Sequence, residues 1–140
     1  WRHHLLHPDD LASSAHRFVP HAVFSNPQVA SVGATERELL QSDTPYAVHL
    51  QEYADVAYGW AMEDEGHCVK LLADPHKRTL LGAHILGPQA STLIQTCIQG
   101  MIAGQTVDQM ARGQYWIHPA LPEVIKNALL GLGKAMDATG

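Results

Sequence analysis

The sequence is poor in cysteine, with only Cys68 and Cys97 among 140 residues. Two are too few for a disulfide scaffold. They stand 29 positions apart, so no Cys-x-x-Cys redox pair is encoded. A free cysteine on an apolar helix face, as Cys97 is, behaves as a small buried hydrophobe, and reactive thiols need an accessible, electropositive setting. No apolar run approaches the roughly 18 residues that span a bilayer, and the N-terminus lacks a signal-peptide layout. These absences predict a cytoplasmic protein with reduced thiols and no membrane partner. Positive charge is also scarce: 9 Lys and Arg stand against 14 Asp and Glu, a net charge of -5. That balance gives no basic patch and argues against nucleic acid.

A nucleotide site is missing as well. The only Gly-x-Gly run, Gly131-Leu132-Gly133, follows a helix rather than a strand and has no third glycine at the required offset. The context excludes a dinucleotide-binding turn, and there is no Walker loop. With 140 residues the chain is one domain's worth, short for an enzyme that holds two nucleotides. Histidine, in contrast, is abundant, with ten copies. His3, His4 and His7 cluster, but no cysteine pair or second histidine pair accompanies them, so the expectation is a solvated polar segment and no metal.

Residues 1–19 are polar and irregular and read as a connector arriving from an upstream region. The chain opens on Trp1 without methionine, as expected of a fragment of a longer protein. From Pro20 the pattern tightens. Ala22-Val23-Phe24 and Val29 to Val32 are short strands around the turn Ser25-Asn26-Pro27-Gln28. Thr35 with Glu38 three residues later predicts a capping box on a short helix. Tyr46 to Tyr53 alternates as a strand, whereas Ala54 to Glu63 fits either a short helix or an irregular crossover. Cys68–Ala73 and Leu80–Leu86 flank a turn-rich stretch and predict a hairpin.

Pro88 opens the best helix, with Leu93, Ile94, Cys97, Ile98, Met101 and Ile102 on one apolar face and Gly104 closing it. That face serves either as sheet-facing core or as an interface. A short helix over 107–111 and a last one over 122–132, with Pro122 in its first position, complete the reading. The fold class expected is α+β: a central antiparallel sheet flanked by helices, covered on one face. Residues 20–132 form the domain and 133–140 a tail.

The sharpest chemistry lies in His118-Pro119-Ala120-Leu121-Pro122-Glu123. Histidine exchanges protons near neutral pH. A carboxylate on one ring nitrogen fixes the tautomer and leaves the other nitrogen for a substrate. Glu123 can fold back onto His118 across the Pro-bounded turn, with Tyr115 and Trp116 as a partly dry wall. The same pattern also fits a satisfied histidine in a proline-rich turn.

Four segments in order resemble the C-terminal interface domain of the glutathione reductase and dihydrolipoamide dehydrogenase family. They are Pro20 to Pro27 with Val32-Gly33-Ala34-Thr35-Glu36, Val69 to Leu72, Leu81 to Pro88, and His118-Pro119 followed by Glu123. Within that family, Asp55 to Asp64 and Ala111 to Glu123 are similar to the mycothione reductase branch. Ala120 and Leu121 replace the threonine and serines usual after His-Pro in glutathione reductases, which disfavours glutathione. The resemblance implies a homodimer in which His118 acts as acid/base in the partner subunit's active site and Glu123 holds its ring. It implies that backbone groups of His118 and Pro119 lie near the FAD of the partner subunit. It further implies upstream FAD and NADPH domains in the full-length enzyme and a low-molecular-weight disulfide as substrate. Alternatives are a dihydrolipoamide dehydrogenase or glutathione reductase C-terminal domain, or a non-catalytic dimerisation module. The fragment alone is expected to bind no cofactor and to be inactive.

Overall fold

The computed structural model describes residues 18–138; the connector and the His3, His4 and His7 cluster lie outside the described residues. Five strands form one antiparallel sheet: β1 (His21–Val23), β2 (Val29–Gly33), β3 (Ala47–Glu52), β4 (Cys68–Ala73) and β5 (Leu80–Leu86). Their spatial order is β1-β2-β5-β4-β3. The helices are α1 (Glu36–Gln41), α2 (Ala57–Ala61), α3 (Ala90–Ile102), α4 (Val107–Arg112) and α5 (Glu123–Asp137). The expected α+β class, with an antiparallel sheet and flanking helices, is what the chain adopts.

Side chains alternate across a strand, and here alternation puts Ala30, Val32, Val69, Leu71, Ala83 and Ile85 on one face, all buried. Helix α3 covers β2 and β5, and α5 covers β3 and β4. From α3 come Leu93, Ile94, Cys97, Ile98 and Met101, and from α5 come Val124, Ile125, Leu129 and Leu132, all in the same cluster. Each such side chain contributes about 1.5–3 kcal/mol by leaving water. The apolar stripe of α3 is therefore mainly sheet-facing core.

Local differences from the sequence reading have physical causes. Ile102, expected on the α3 stripe, is exposed. Each i, i+4 step advances about 40° around a helix, so two steps from Ile94 carry Ile102 off the buried arc. The ambiguous stretch 54–63 resolves into a 3-10 turn (Tyr53–Asp55) and α2. Tyr53, expected as a strand end, is fully buried, and its hydroxyl donates to the Pro88 carbonyl at 3.1 Å. The predicted capping box on α1 is present: Thr35 N donates to Glu38 Oε2 at 2.8 Å, and Glu38 N to Thr35 Oγ1 at 3.3 Å. A second box, Thr106 with Gln109 on α4, carries the same T-x-x-[EQ] signal and was not read from the sequence.

The last helix starts at Glu123, after Pro122 as its cap, and runs to Asp137, past the Leu132 end expected. Gly131 and Gly133 do not stop it, and Gly131 serves close packing. A β-carbon at 131 would sit 2.1 Å from His49 Nε2 on β3. At the far end of the layer, Arg78 Nε donates to Asp108 Oδ2 at 2.7 Å and its Nη1 to Asp137 Oδ1 at 2.8 Å. One side chain on the β4–β5 turn thus ties α4 and the end of α5 to the sheet.

Two outcomes follow. Gly82→Ala would place a β-carbon 2.0 Å from the Ala34 carbonyl oxygen, a backbone atom. It should lower stability by about 1–3 kcal/mol, the usual cost of overpacking, in urea denaturation, whereas Gly131→Ala should cost less because His49 can swing away. The Arg78 hydrogen bond holds the Asp108 carboxyl below its ordinary value, and backbone N–H groups, led by that of Lys77, do the same for Asp74. A depressed folded value contributes stability above the ordinary Asp value near 3.9, lost as pH falls through the lower folded value. The urea midpoint should therefore drop between pH 6 and pH 3, and Arg78→Met should shrink that drop.

Candidate functional site

The connection from α4 to α5 is pinned on both sides of His118. Trp116 Nε1 donates to the Ala111 carbonyl at 3.0 Å and packs its ring against the core. Leu121 is buried on the other side. Between these anchors the chain passes through a cis His118-Pro119 bond and turns into α5, where the Glu123 N–H donates to the Ala120 carbonyl at 3.1 Å.

This turn brings the predicted pair together. His118 Nδ1 lies 3.0 Å from Glu123 Oε1 and 2.9 Å from Oε2. The His118 side chain is 68% exposed and that of Glu123 13%. An ionised carboxylate only accepts hydrogen bonds, so Nδ1 is the donor and the neutral ring carries its proton there. Nε2 is left as the free nitrogen of an exposed ring. The arrangement can hold an imidazole in one tautomer and one orientation.

The expected aromatic wall is not there in one chain. Tyr115 is fully exposed and Ile117 nearly so, while Trp116 is turned inward as an anchor. In an extended stretch neighbouring side chains point to opposite sides, and burying the indole sends Tyr115 and Ile117 outward.

A second histidine–carboxylate pair escaped the sequence reading. His67 Nδ1 is 2.5 Å from Asp64 Oδ1, with the Asp64 side chain 2% exposed. The His67 ring meets Tyr53 edge-on at 6.0 Å. Its only sequence signal is the spacing Asp-x-x-His. It closes the loop beneath β4, and its ring faces protein, unlike that of His118.

The thiols are separated in the fold. Cys97 is wholly buried in the core, and burial pushes its thiol up to about 12. Cys68, half-buried on β4, is also pushed up, by burial first and then by Glu52. Gly131-Leu132-Gly133 lies within α5. Among the described residues no group of three His, Cys, Asp or Glu side chains could hold a metal ion. No described helix is long and apolar enough to cross a membrane.

Comparison with known proteins now decides the family. Residues 19–129 match the pyridine nucleotide-disulphide oxidoreductase, dimerisation domain. The chain belongs to that family. Over 117 residues it is 59% identical to mycothione reductase of Mycobacterium tuberculosis, covering 84% of this chain and 26% of that protein. Identity to the mitochondrial dihydrolipoyl dehydrogenase of Dictyostelium discoideum is 33% over 120 residues, covering 86% of this chain and 23% of the relative. The fold also superimposes on an HOCl-induced flavoprotein disulfide reductase of Escherichia coli, solved as a Cu(II) complex. The TM-score is 0.81 at 25% identity, over 92% of this chain and 29% of that one. The chain thus spans about a quarter of the length of the curated relatives it matches. As a dimerisation domain of this family, it is more similar to mycothione reductase than to the dehydrogenase.

The burial of Cys97 has a direct chemical consequence. With a thiol value near 12, roughly one molecule in ten thousand is thiolate at pH 8, and the thiolate is the nucleophile. N-ethylmaleimide followed by peptide mapping should label Cys97 only in denaturant; rapid labelling of the native protein would contradict a structural thiol.

Proposed function

We propose that this domain is the dimerisation module of an FAD- and NADPH-dependent disulfide reductase, most like mycothione reductase. In this reading His118 is the acid/base that it supplies to the partner subunit's active site. The observation that carries the proposal is the geometry of His118: Nδ1 clamped by both oxygens of Glu123, with an exposed ring carrying Nε2 outward. A proton-transfer group so presented, on a domain whose Cys97 is sealed in the core and whose Gly-x-Gly run is helical, suits chemistry completed by another chain.

The overall reaction balances as one disulfide, NADPH and a proton giving two thiols and NADP⁺. Bound flavin would supply electron transfer from NADPH toward the disulfide. This chain's own part concerns the proton. Protonated His118 carries Nδ1–H on Glu123 and directs Nε2–H at the departing sulfur of the substrate. A thiolate leaves more readily as it is protonated. After donation the ring is neutral with its proton on Nδ1, the tautomer that Glu123 already selects. Glu123 is therefore a positioning residue.

The backbone at this turn also suits a flavin edge. Pro119 has no N–H, both residues are exposed, and neither the His118 nor the Pro119 carbonyl is engaged by a backbone donor among the described residues. Those carbonyls would be the atoms offered to the partner's FAD. The two subunits would be copies related by a two-fold axis, with the FAD and NADPH domains upstream in the same polypeptide and a low-molecular-weight disulfide as substrate. Alone, the chain would be a colourless dimerisation module without turnover.

The test uses the full-length flavoprotein and NADPH-dependent reduction of mycothione disulfide. His118→Ala should lower kcat by roughly 10²-fold or more, the scale of a positioned acid/base group, with flavin absorbance retained. Glu123→Gln should lower kcat less and leave KM nearly unchanged, because an amide no longer fixes the ring's tautomer and orientation. Near-normal turnover by His118→Ala would make the pair structural and sink the mechanism.

A further inference from the structure

The connection that carries His118 also finishes α4. The last carbonyls of a helix have no partner inside it. In α4 the Gln109 carbonyl accepts from the Gly113 N–H at 2.8 Å. The next two accept from side chains of the connection: Met110 from Gln114 Nε2 at 3.3 Å, and Ala111 from Trp116 Nε1 at 3.0 Å. The Trp116 ring packs against the core as well. The helix it is tied to is firmly seated. Val107, Met110 and Ala111 are buried, Thr106 and Gln109 form the capping box, and Asp108 accepts from Arg78.

His118 has no such seating of its own. Its side chain is largely exposed, and among the described residues the ring's one hydrogen-bond partner is Glu123. That clamp fixes one nitrogen. Where Nε2 then points depends on the backbone from which the ring grows. That backbone is held by Trp116 two residues before it and by buried Leu121 three residues after. Without the Trp116 bond, the nearest side-chain tie before His118 is Gln114, four residues away and with the longer contact.

We propose that Trp116 is a positioning residue for His118: the indole, fastened to the end of α4, sets the direction in which Nε2 is presented. The inference rests on the reading of His118 as the acid/base lent to the partner subunit. It gives the inward turn of the indole a role, since an aromatic that could have lined the site holds the histidine's backbone instead. Alignment matters on this scale, because a displacement of about 1 Å at a reacting group can cost about 10²-fold in rate.

The test is a double-mutant cycle in the full-length flavoprotein with mycothione disulfide as substrate. Trp116→Phe keeps a ring in the core and removes the N–H. It should lower kcat by about three- to tenfold, the scale of one neutral hydrogen bond, with KM nearly unchanged and flavin and dimer retained. In the His118→Ala background the same substitution should have almost no further effect, because groups that act as a unit are not additive. Rapid mixing gives a second readout. Flavin reduction by NADPH, in which His118 has no part, should keep its wild-type rate in Trp116→Phe, while electron transfer to the disulfide slows. A wild-type kcat in Trp116→Phe, an equal fall in the His118→Ala background, or loss of flavin or dimer overturns the inference and leaves the role of His118 standing. Near-normal turnover by His118→Ala sinks the reading beneath it, and the inference goes with it.

Discussion

One face of the sheet has to be kept from water, and the placement of almost everything else answers to that. Alternation in β2, β4 and β5 commits Ala30, Val32, Val69, Leu71, Ala83 and Ile85 to a common side. Among the described residues only two helices are long enough to cover it, and they divide the strands between them. Covering β3 and β4 fixes α5, with Gly131 letting its backbone approach His49. Fixing α5 fixes its first turn, and Glu123 stands there. The exposed His118 ring is thus held by a carboxylate whose own position is set by core packing. Arg78 closes the layer at the opposite end, where the Coulomb gain of two partly exposed pairs is small but the same guanidinium joins three elements.

The two histidine–carboxylate pairs show why local chemistry does not by itself assign a role. His67 and Asp64 make the shorter contact, with the carboxylate almost sealed from solvent. By strength of pairing it is the better dyad. Its ring, however, meets Tyr53 edge-on, and the His67 side chain is only 24% exposed. His118 has a looser, bifurcated contact with an open ring. Proton transfer requires reach as well as alignment, and of the two rings His118 is the more accessible. The outward Tyr115 and Ile117 belong to the same logic: a lone subunit leaves them bare, and the wall they could form needs a surface supplied from outside.

Much of this was legible in the residues, and the limits of legibility are physical. Short-range signals read well: the Thr35 box, the β4–β5 hairpin and the His118–Glu123 turn are each specified within a few positions. Signals that depend on a distant surface did not. Gly131 and Gly133 look like helix stops until His49 and Arg78 are seen packed beside them. Ile102 fits the α3 stripe by spacing, yet helical drift carries it beyond the edge of the sheet-facing arc. Tyr53 ends an alternating run and could have remained at the surface; the Pro88 carbonyl, 35 positions away, is what its hydroxyl reaches. Strand order is equally non-local, since nothing in β2 announces that β5 will be its neighbour.

The division between the two sides of the sheet carries the last step. A domain that only dimerised would need one self-complementary patch and could leave its other face polar. Here the helical side carries the paired His118, and the outer sheet face carries the exposed Val23, Val29, Leu50 and Leu86 beside Lys70 and His84. These are different chemistries on opposite surfaces, and a single partner cannot satisfy both. Under the proposed function the helical side would meet a copy of the same domain, since two-fold symmetry gives each subunit the group it lends.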